Sequence, residues 1–364
     1  MTNVAPWRDI ELESKPDFNQ AMQRIYAWYE QAIIDRPPVR FTRHNAEFEE
    51  ADGVWKPQWH DLKDKWFDEE YQLEKFMTQV RGKRYQGETF PVFFPNLGPA
   101  ISSAFYGCPL VFSETTSWSV PSLTDYSQGL KLDWNSPYMK KLESLTRIGL
   151  EHCEGKFLMG YTDLHGGLDN LAALRGTEPL LWDLVDNPDA PLPLLDQIAD
   201  EFLQVFDYFD AMLKAARQPS VTWMGIPSFG KMHIPSCDFA FMISSKQFAR
   251  YQLGSNKREM EHMTHNVYHI DGKGVARHLD LILGLPNLHA IQWVQGMGDD
   301  TPIMQWVPLV KRIQAAGKSV MVDLTHAELD DFIAAVRPEG ILLTMASVDE
   351  EEERVILKLS LIHI

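Results

Sequence analysis

Apolar residues recur along the chain in two alternating patterns, short β-rich runs and longer stretches with helical spacing. Residues 18–35 carry the first helical pattern, since Met22, Ile25 and Trp28 recur at intervals of three and end before a Pro-Pro pair. Runs bounded by Gly, Pro or Asp predict strands at residues 38–43, 91–96, 157–162, 220–225, 239–243, 266–270, 290–294, 319–323 and 340–344. Helical patterns between them cover residues 192–217, 246–264, 274–284, 302–316 and 327–336.

This alternation of strand and helix predicts parallel strands joined by crossover helices. About eight such units favour an α/β fold of the (β/α)8 TIM-barrel type with an N-terminal helical cap, and an open doubly wound sheet is the alternative. No GxGxxG follows the first strand, so the dinucleotide-binding form of the open sheet loses its main support. We expect residues 1–85 to contribute the first barrel strand (about 38–44) and a cap, and residues 86–358 to form the barrel.

Charge and cysteine content narrow the range of partners. With 51 acidic and 34 basic side chains the formal charge is −17, and no basic cluster is free of acids, which argues against nucleic acid. No apolar run approaches the roughly 20 residues needed to cross a bilayer, and the N-terminus lacks a secretory pattern, so we expect a cytoplasmic protein. Cys108, Cys153 and Cys237 show no CxxC spacing, which argues against a disulfide framework and a thiolate zinc knuckle.

The strongest local signal is the run Tyr-His-Ile-Asp-Gly-Lys-Gly at residues 268–274. His269 and Asp271 are two residues apart at the end of a predicted strand, so both point to the same side. Barrel enzymes place their sites at this end of the strands. The pair could hold a metal ion, or the carboxylate could orient the imidazole as a general acid or base. The alternative is an Asp-Gly turn beside a structural histidine.

Three further acidic positions are candidates for the same site. Asp163 and His165 repeat the two-residue spacing before a Gly-Gly pair that opens a helix, where Asp163 could equally be the helix N-cap. Glu114 and Asp238 are single carboxylates in apolar or hydroxyl surroundings. Burial of an unpaired acid costs several kcal/mol, so we expect each of these carboxylates to have a partner. A structural hydrogen bond would explain either carboxylate as well as a catalytic role would.

Two more groups of residues suit substrate binding. Gln292 and Trp293 end the next predicted strand, where the indole could form the floor of a pocket for a flat substrate or belong to the core. Arg40, Arg43 and His44 cluster on the first strand, and an arginine directed into an acidic barrel would suit a substrate carboxylate.

Several motifs together resemble the uroporphyrinogen decarboxylase superfamily over roughly residues 90–345. They are the runs at residues 171–178, 184–188, 243–248, 268–272 and 288–294. The resemblance implies a (β/α)8 barrel with its site at the carboxyl ends of the strands. The superfamily includes porphyrinogen decarboxylases that use no cofactor, and zinc methyltransferases that exchange methyl groups with corrinoid proteins or thiols. The chain is most similar to an uncharacterised bacterial subgroup close to these methyltransferases.

The resemblance favours the methyltransferase branch. In the decarboxylases an early segment, Pro-Val-Trp-Phe-Met-Arg-Gln-Ala-Gly-Arg, holds substrate carboxylates through two arginines. Here Arg43 matches the first and Glu47 replaces the second, which would repel a substrate with eight carboxylates. The methyltransferases carry His-x-Cys where this chain has His269 and Asp271. An oxygen ligand in place of the thiolate makes a harder Lewis acid, suited to an ether or hydroxyl oxygen.

These observations lead to one function with two alternatives. The first is a metal-assisted methyltransferase that moves a methyl group from a small methylated donor to a corrinoid protein or thiol. Its catalytic residues would be His269, Asp271, Asp238 and Glu114. Zinc would bind His269 and Asp271, with Cys237, Asp238 or Glu114 completing the usual three protein ligands. The expected substrate-binding residues are Arg43, Asp163, His165, Gln292 and Trp293.

The first alternative is a cofactor-free decarboxylase, a lyase of porphyrin biosynthesis. In that enzyme Arg43 would anchor a carboxylate, and Asp238 or His269 would protonate the product carbon. The second alternative is a ligand-binding barrel without catalysis. Residues 359–364 resemble a translated sequencing adapter, so we interpret them as a non-native tail on a metagenomic sequence whose closing helix stops after about Lys358.

Overall fold

A computed structural model describes residues 5–43, 55–347 and 349–362. Six parallel strands form one curled sheet, like half a barrel, and four more strands pair two by two, one pair parallel and the other antiparallel. The strands are β1 (Val39–Arg43), β2 (Val92–Phe93), β3 (Leu110–Phe112), β4 (Ser117–Ser119), β5 (Leu158–Met159), β6 (Met232–His233), β7 (His265–Asp271), β8 (Ala290–Val294), β9 (Ser319–Leu324) and β10 (Ile341–Ser347). The large sheet has the order β1-β10-β9-β8-β7-β6, β2 pairs with β5, and β3 with β4.

Helices connect the strands and begin where the sequence offers caps. Ser136 accepts a hydrogen bond from the backbone of Met139, with Pro137 in the first turn, and Asp68 does the same for Tyr71. The described helices are α1 (Phe18–Tyr29), α2 (Leu62–Phe67), α3 (Glu69–Val80), α4 (Ile101–Ala104), α5 (Pro137–His152), α6 (Gly167–Arg175), α7 (Thr177–Asp186), α8 (Leu192–Ala215), α9 (Ser245–Tyr251), α10 (Leu253–His262), α11 (Gly272–Ala276), α12 (Leu279–Leu283), α13 (Val307–Ala315), α14 (Leu329–Ala335) and α15 (Glu350–Ile362).

The two faces of the large sheet are buried in different ways. Alternate residues of β7 to β10 pack against the outer helices, among them Tyr268, Ile291, Trp293, Val322 and Leu343. The residues between them form an inner cluster with α1, including Val267, Ala290, Met321 and Leu342. Trp28 of α1 donates to the carbonyl of Gly340 just before β10, so α1 lies against the amino ends of these strands.

Hydrogen bonds also join the edges of the two parallel sheets. The backbone N–H of Glu88, just before β2, donates to the carbonyl of Val39 on β1 at 2.7 Å. The N–H of Tyr161, just after β5, donates to the carbonyl of Val221 at 2.9 Å. Beside Val221, the hydroxyl of Ser220 contacts the Met232 carbonyl of β6 at 3.1 Å. Residues 220–221 thus lie between β5 and β6.

The structure confirms the predicted α/β alternation with parallel strands and corrects two of the predicted strands. The predicted strand at residues 239–243 is instead a 3-10 helix, Asp238–Met242, followed by Ile243. Asp169 accepts the backbone N–H groups of Asp238 and Phe239 and so holds the first turn of this helix. The strand that precedes this segment in the large sheet is β6. Residues 220–225 contain a turn and one isolated bridge between Ser220 and Ser228 instead of a strand.

Two further expectations concern a membrane-spanning helix and the C-terminal segment. None of the helices in the described ranges is long and apolar enough to span a membrane. The segment interpreted as a tail begins inside α15, where Leu359 packs against the main hydrophobic cluster and the Ser360 hydroxyl donates to the Leu357 carbonyl.

Candidate functional site

One imidazole and two carboxylates meet at the carboxyl end of β7. His269 and Asp271 lie two residues apart on this strand, and Asp238 reaches them from the turn after β6. One possible ligand atom of each residue lies within 4.8 Å of the others. Asp169 of α6 fixes the turn by accepting the N–H groups of Asp238 and Phe239 at 3.0 and 2.9 Å. We call Asp238, His269 and Asp271 the DHD group.

The orientation of His269 is set by the neighbouring strand. The parallel register places His269 opposite Gln292 of β8, and the imidazole Nδ1 lies 2.7 Å from the Gln292 Oε1. Because a carboxamide oxygen only accepts, Nδ1 is the donor, and in the neutral imidazole the lone pair lies on Nε2. The edge of Trp223 packs on the ring at 5.5 Å between centroids. This arrangement is typical of a metal-binding histidine, whose second nitrogen is held by an outer partner.

Asp238 lies in a surplus of negative charge. The residue is exposed at the rim of the site, and partial desolvation together with the carboxylates of Asp169 and Asp271 raises its pKa, against the opposing effect of His269 and His165. A cation near these oxygens would relieve the repulsion between the carboxylates. The DHD group is therefore poised to bind positive charge.

The donor set of the DHD group fits a divalent metal ion. Catalytic zinc takes about three protein ligands and leaves a position for substrate, and imidazole with carboxylate oxygens is an accepted combination. Asp238 and Asp271 are exposed and His269 is half-buried, so the open side of the group faces solvent.

Two proposed additional ligands do not join this group. The Cys237 thiol belongs to the cluster under the outer helices, is 1% exposed, and burial raises its pKa well above the ordinary value. Glu114 lies in the turn between β3 and β4, where its side chain is 66% exposed and pairs with Lys65 of α2 at 3.0 Å. The expectation that Glu114 is a buried carboxylate is wrong, because its segment forms an outer hairpin.

Asp163 and His165 form a second polar cluster with Asp169 and Ser236. The His165 Nε2 lies 3.2 Å from Asp163, and its Nδ1 lies 3.1 Å from the Ser236 hydroxyl and 3.8 Å from Asp169. Burial alone would lower the pKa of His165. The carboxylates of Asp163 and Asp169 outweigh this effect and raise the pKa well above its usual value, which favours the imidazolium. Asp163 is not the helix N-cap, since Gly166 holds that position.

Two cavities are lined by a residue of the DHD group or by a residue that contacts it. The first, of about 450 Å³, is lined by His165, Asp169 and Asp238 and by apolar groups that include Trp118 and Met242; we call it the Asp238 cavity. The second, of about 340 Å³, is the Arg40 cavity, and its lining includes Arg40, Gln292, Gln295, Asp323 and Thr344. Asp238 belongs to the first, whereas Gln292, the partner of His269, belongs to the second.

The remaining predicted residues have different surroundings. Trp293 faces the outer helices instead of the inner side, is fully buried, and packs on Trp306 at 4.8 Å between ring centroids. The prediction that it forms a pocket floor therefore has no support in its position. The side chain of Arg43, together with His44 and Glu47, lies outside the described residues.

Sequence reasoning did not select Asp323, Trp223 or Glu259. Asp323 ends a predicted strand, so the same rule that selected His269 could have found it. Glu259 lies in the polar pattern of α10, yet it is 2% exposed, and burial raises its pKa to about 8. No local signal marks such a residue, because its burial depends on packing against α6 and β6.

No protein family model and no curated protein sequence matches the chain.

Proposed function

We propose that the chain is a metal-assisted methyltransferase of the uroporphyrinogen decarboxylase superfamily, which moves a methyl group from a small methylated donor to a corrinoid protein or a thiol. The observation that carries the proposal is the DHD group, with His269 oriented by Gln292. Asp238, His269 and Asp271 would hold a divalent ion such as zinc, which would act as a Lewis acid toward the heteroatom bearing the methyl group.

The proposal includes closure of the parallel strands into an eight-stranded barrel. Its members would be β1, β2 and β5 to β10. The hydrogen bonds from Glu88 to Val39 and from Tyr161 to Val221 support it, because they bridge the edges of the two parallel sheets. Such a barrel would direct the DHD group and both cavities to its carboxyl end, where enzymes of this fold carry their sites.

One cavity is lined by Asp238, and a second is lined by Gln292, the partner of His269. Two cavities favour transfer between two reactants over hydrolysis, which needs room for only one reactant and water. In the Asp238 cavity, His165 is held near Asp163, Asp169 and Ser236, and its imidazolium form is a source of a proton. The acceptor, a thiolate or a reduced corrinoid, would supply the electron pair of the new bond to the methyl carbon as the bond to the donor heteroatom breaks. The electron pair of the broken bond would stay on the heteroatom, and His165 would supply the proton that neutralises it.

Metal binding by the full chain tests the proposal. After treatment with EDTA, wild-type protein should bind zinc or cobalt in calorimetry, and His269→Gln and Asp271→Asn should weaken the affinity at least tenfold. His326→Gln is the matched control, because His326 is exposed and lies outside the DHD group. Absence of zinc and cobalt binding in the wild type, or equal affinity in all variants, would rule the proposal out.

A cofactor-free decarboxylase is the second candidate, and the position of Arg40 supports it. This arginine lines a cavity together with Gln292, the partner of His269, where it could hold a substrate carboxylate. The raised pKa of Asp238 suits a proton donor. Release of carbon dioxide from uroporphyrinogen by metal-free protein would support this candidate. No release at high enzyme concentration would remove it.

A further inference from the structure

Asp238, the third member of the DHD group, lies on a different element from His269 and Asp271. It is the first residue of the 3-10 helix Asp238–Met242, which we call the Asp238 helix. Such short helices are marginally stable by themselves, because they make few hydrogen bonds of poor geometry. Contacts from other elements must therefore hold this helix if Asp238 is to stay within reach of His269.

The two ends of the Asp238 helix are fixed by different elements. Asp169 of α6 accepts from the backbone at its beginning. At its end, the Arg277 Nη2 donates to the carbonyl of Phe241 at 2.6 Å, and the Arg277 Nε donates to the carbonyl of Gly274 on α11 at 2.6 Å. A cation at the carboxyl end of a helix is also favourable. One guanidinium thus ties the end of the Asp238 helix to α11.

His278 holds the same end of the Asp238 helix from the interior. Its ring is buried, and its Nε2 lies 3.0 Å from the Ala240 carbonyl. Because a carbonyl oxygen only accepts, Nε2 is the donor, and Nδ1 lies 3.0 Å from the Ser245 hydroxyl of α9. The Phe248 ring stacks on the imidazole at 4.7 Å between centroids. These contacts fix the imidazole in the orientation in which it donates to Ala240.

Gly274 allows α11 and the Asp238 helix to approach closely. A Cβ at this glycine would stand 1.9 Å from the Phe241 ring, so the ring lies directly on the backbone of α11. Since Phe241 is 56% exposed, burial in the core does not explain this close packing. Because α11 begins directly after Asp271, residues 269–278 supply two members of the DHD group and also hold the helix that carries the third.

We propose that Arg277 is a positioning residue, which holds the Asp238 carboxylate in place as the third metal ligand of the DHD group. The inference rests on the proposed function, since it concerns metal binding by this group. Arg277 is exposed, whereas His278 is buried and also packs on Phe248. The arginine is therefore the residue of the two that can be changed with little effect on the core.

Charge and position predict opposite effects of Arg277→Met on zinc binding. Loss of a positive charge from the segment that follows Asp271 would by itself tighten the binding of a cation. Loss of the hydrogen bond to Phe241 frees the end of the Asp238 helix, so the positioning role predicts zinc binding that is weaker by about tenfold. Arg312→Met is the matched control, because Arg312 is exposed on α13, pairs with Asp280 and should leave zinc affinity unchanged.

A double-mutant cycle tests whether Arg277 acts through Asp238. Calorimetry on metal-free protein gives the zinc affinity of wild type, Arg277→Met, Asp238→Asn and the double variant. Arg277→Met should weaken binding about tenfold when Asp238 is present but less than about twofold in Asp238→Asn, where the positioned ligand is already lost. The visible spectrum of bound cobalt in Arg277→Met should shift towards that of Asp238→Asn, because both variants lose the same ligand.

Arg277→Lys keeps the test decisive if Arg277→Met does not fold, as urea unfolding of the metal-free variants will show. It retains the charge and a donor, so it should bind zinc with intermediate affinity, and the same cycle applies to it. If the arginine variants bind zinc as tightly as wild type, or lose as much affinity in the Asp238→Asn background, the inference is overturned and the proposed function is not affected. If wild type binds neither zinc nor cobalt, the proposed function fails and the inference fails with it.

Discussion

Gln292 determines which nitrogen of His269 is available to a metal. Its Oε1 accepts from Nδ1 at 2.7 Å and so leaves Nε2 with its lone pair. Gln292→Met keeps a side chain of similar length but removes the acceptor, so the imidazole can rotate and change tautomer. We expect zinc affinity to fall by about 10- to 100-fold, as for other outer partners of metal-binding histidines.

Zinc titration of Gln292→Met and of Gln305→Met measures this effect. Gln305 serves as the control because it is exposed and donates to backbone carbonyls near Asp299. Unchanged zinc affinity in Gln292→Met, with the fold intact, would show that the hydrogen bond to His269 is not needed for binding.

The sequence allowed part of the site to be predicted at the level of single residues. The spacing of His269 and Asp271 at a strand end was sufficient, because a two-residue step in a strand returns to the same face. The same rule places Trp293 on the face opposite Gln292, so the two could not both line one pocket. Asp238 meets His269 only because Asp169 of α6 holds its turn, and no local pattern reports such a long-range contact.

At the level of elements, Glu88 joins the segment before β2 to α1 and β1. It is fully buried and accepts hydrogen bonds from Arg24, Arg36 and the backbone N–H of Val39. Glu88→Gln leaves the buried guanidinium of Arg36 without a countercharge and leaves that of Arg24 with Asp35 alone. We expect the free energy of unfolding in urea to fall by about 3–5 kcal/mol.

Glu114→Gln is the matched control for Glu88→Gln. Its ion pair with Lys65 is exposed on the glutamate side, and such pairs contribute about 0–1 kcal/mol. Equal losses in the two variants would contradict the view that burial makes the Glu88 network essential.

The contact between α1 and the amino ends of the strands should depend on pH. His265 of β7 stacks on Tyr29 of α1 at 4.1 Å between ring centroids, and its Nδ1 lies 2.8 Å from the Ser228 hydroxyl. Burial and the neighbouring His289 lower the pKa of His265 to about 4. Since an unfolded histidine titrates near 6.5, the unfolded chain binds more protons below that pH and stability falls on acidification.

The contribution of His265 can be isolated with His265→Gln. Between pH 7 and pH 5 the wild type should lose about 2 kcal/mol more than the variant, measured by urea unfolding. His289, whose pKa is also lowered, remains in both proteins and cancels in the comparison. Parallel losses in the two proteins would show that His265 titrates normally in the folded state.

At the scale of the whole molecule, the class of fold could be predicted from the sequence. The number of strands and the residues at which they begin and end could be predicted only in part. The order of strands and helices follows from apolar runs and turns, which are local. The prediction of a strand at residues 239–243 was wrong. Phe239, Ala240 and Ile243 are buried, whereas Phe241 and Met242 are exposed, and this spacing is typical of a turn. Strands as short as β2, β5 and β6 exist because their neighbours pair with them, a tertiary effect.

Charge repulsion in the DHD group should make the metal-free protein less stable than it could be. The raised pKa of Asp238 means that its contribution to stability is lost as pH rises through that pKa, so the ionised form is unfavourable at neutral pH. Asp238→Asn should therefore raise the free energy of unfolding of the metal-free protein at pH 7, by less than about 0.5 kcal/mol because solvent screens an exposed carboxylate. The same variant should bind zinc less tightly, because one of three ligands is lost.

Without zinc we expect Asp238→Asn to be more stable than wild type, and with zinc we expect wild type to be the more stable of the two. At about a thousandfold excess over the dissociation constant, zinc should stabilise wild type by about 4 kcal/mol and Asp238→Asn by much less. Asp280→Asn is the control, since Asp280 is exposed, pairs with Arg312, and should respond to zinc as wild type does. Urea unfolding of the three proteins, each with zinc and with EDTA, measures these responses. If zinc stabilises Asp238→Asn as much as it stabilises wild type, Asp238 is not a zinc ligand.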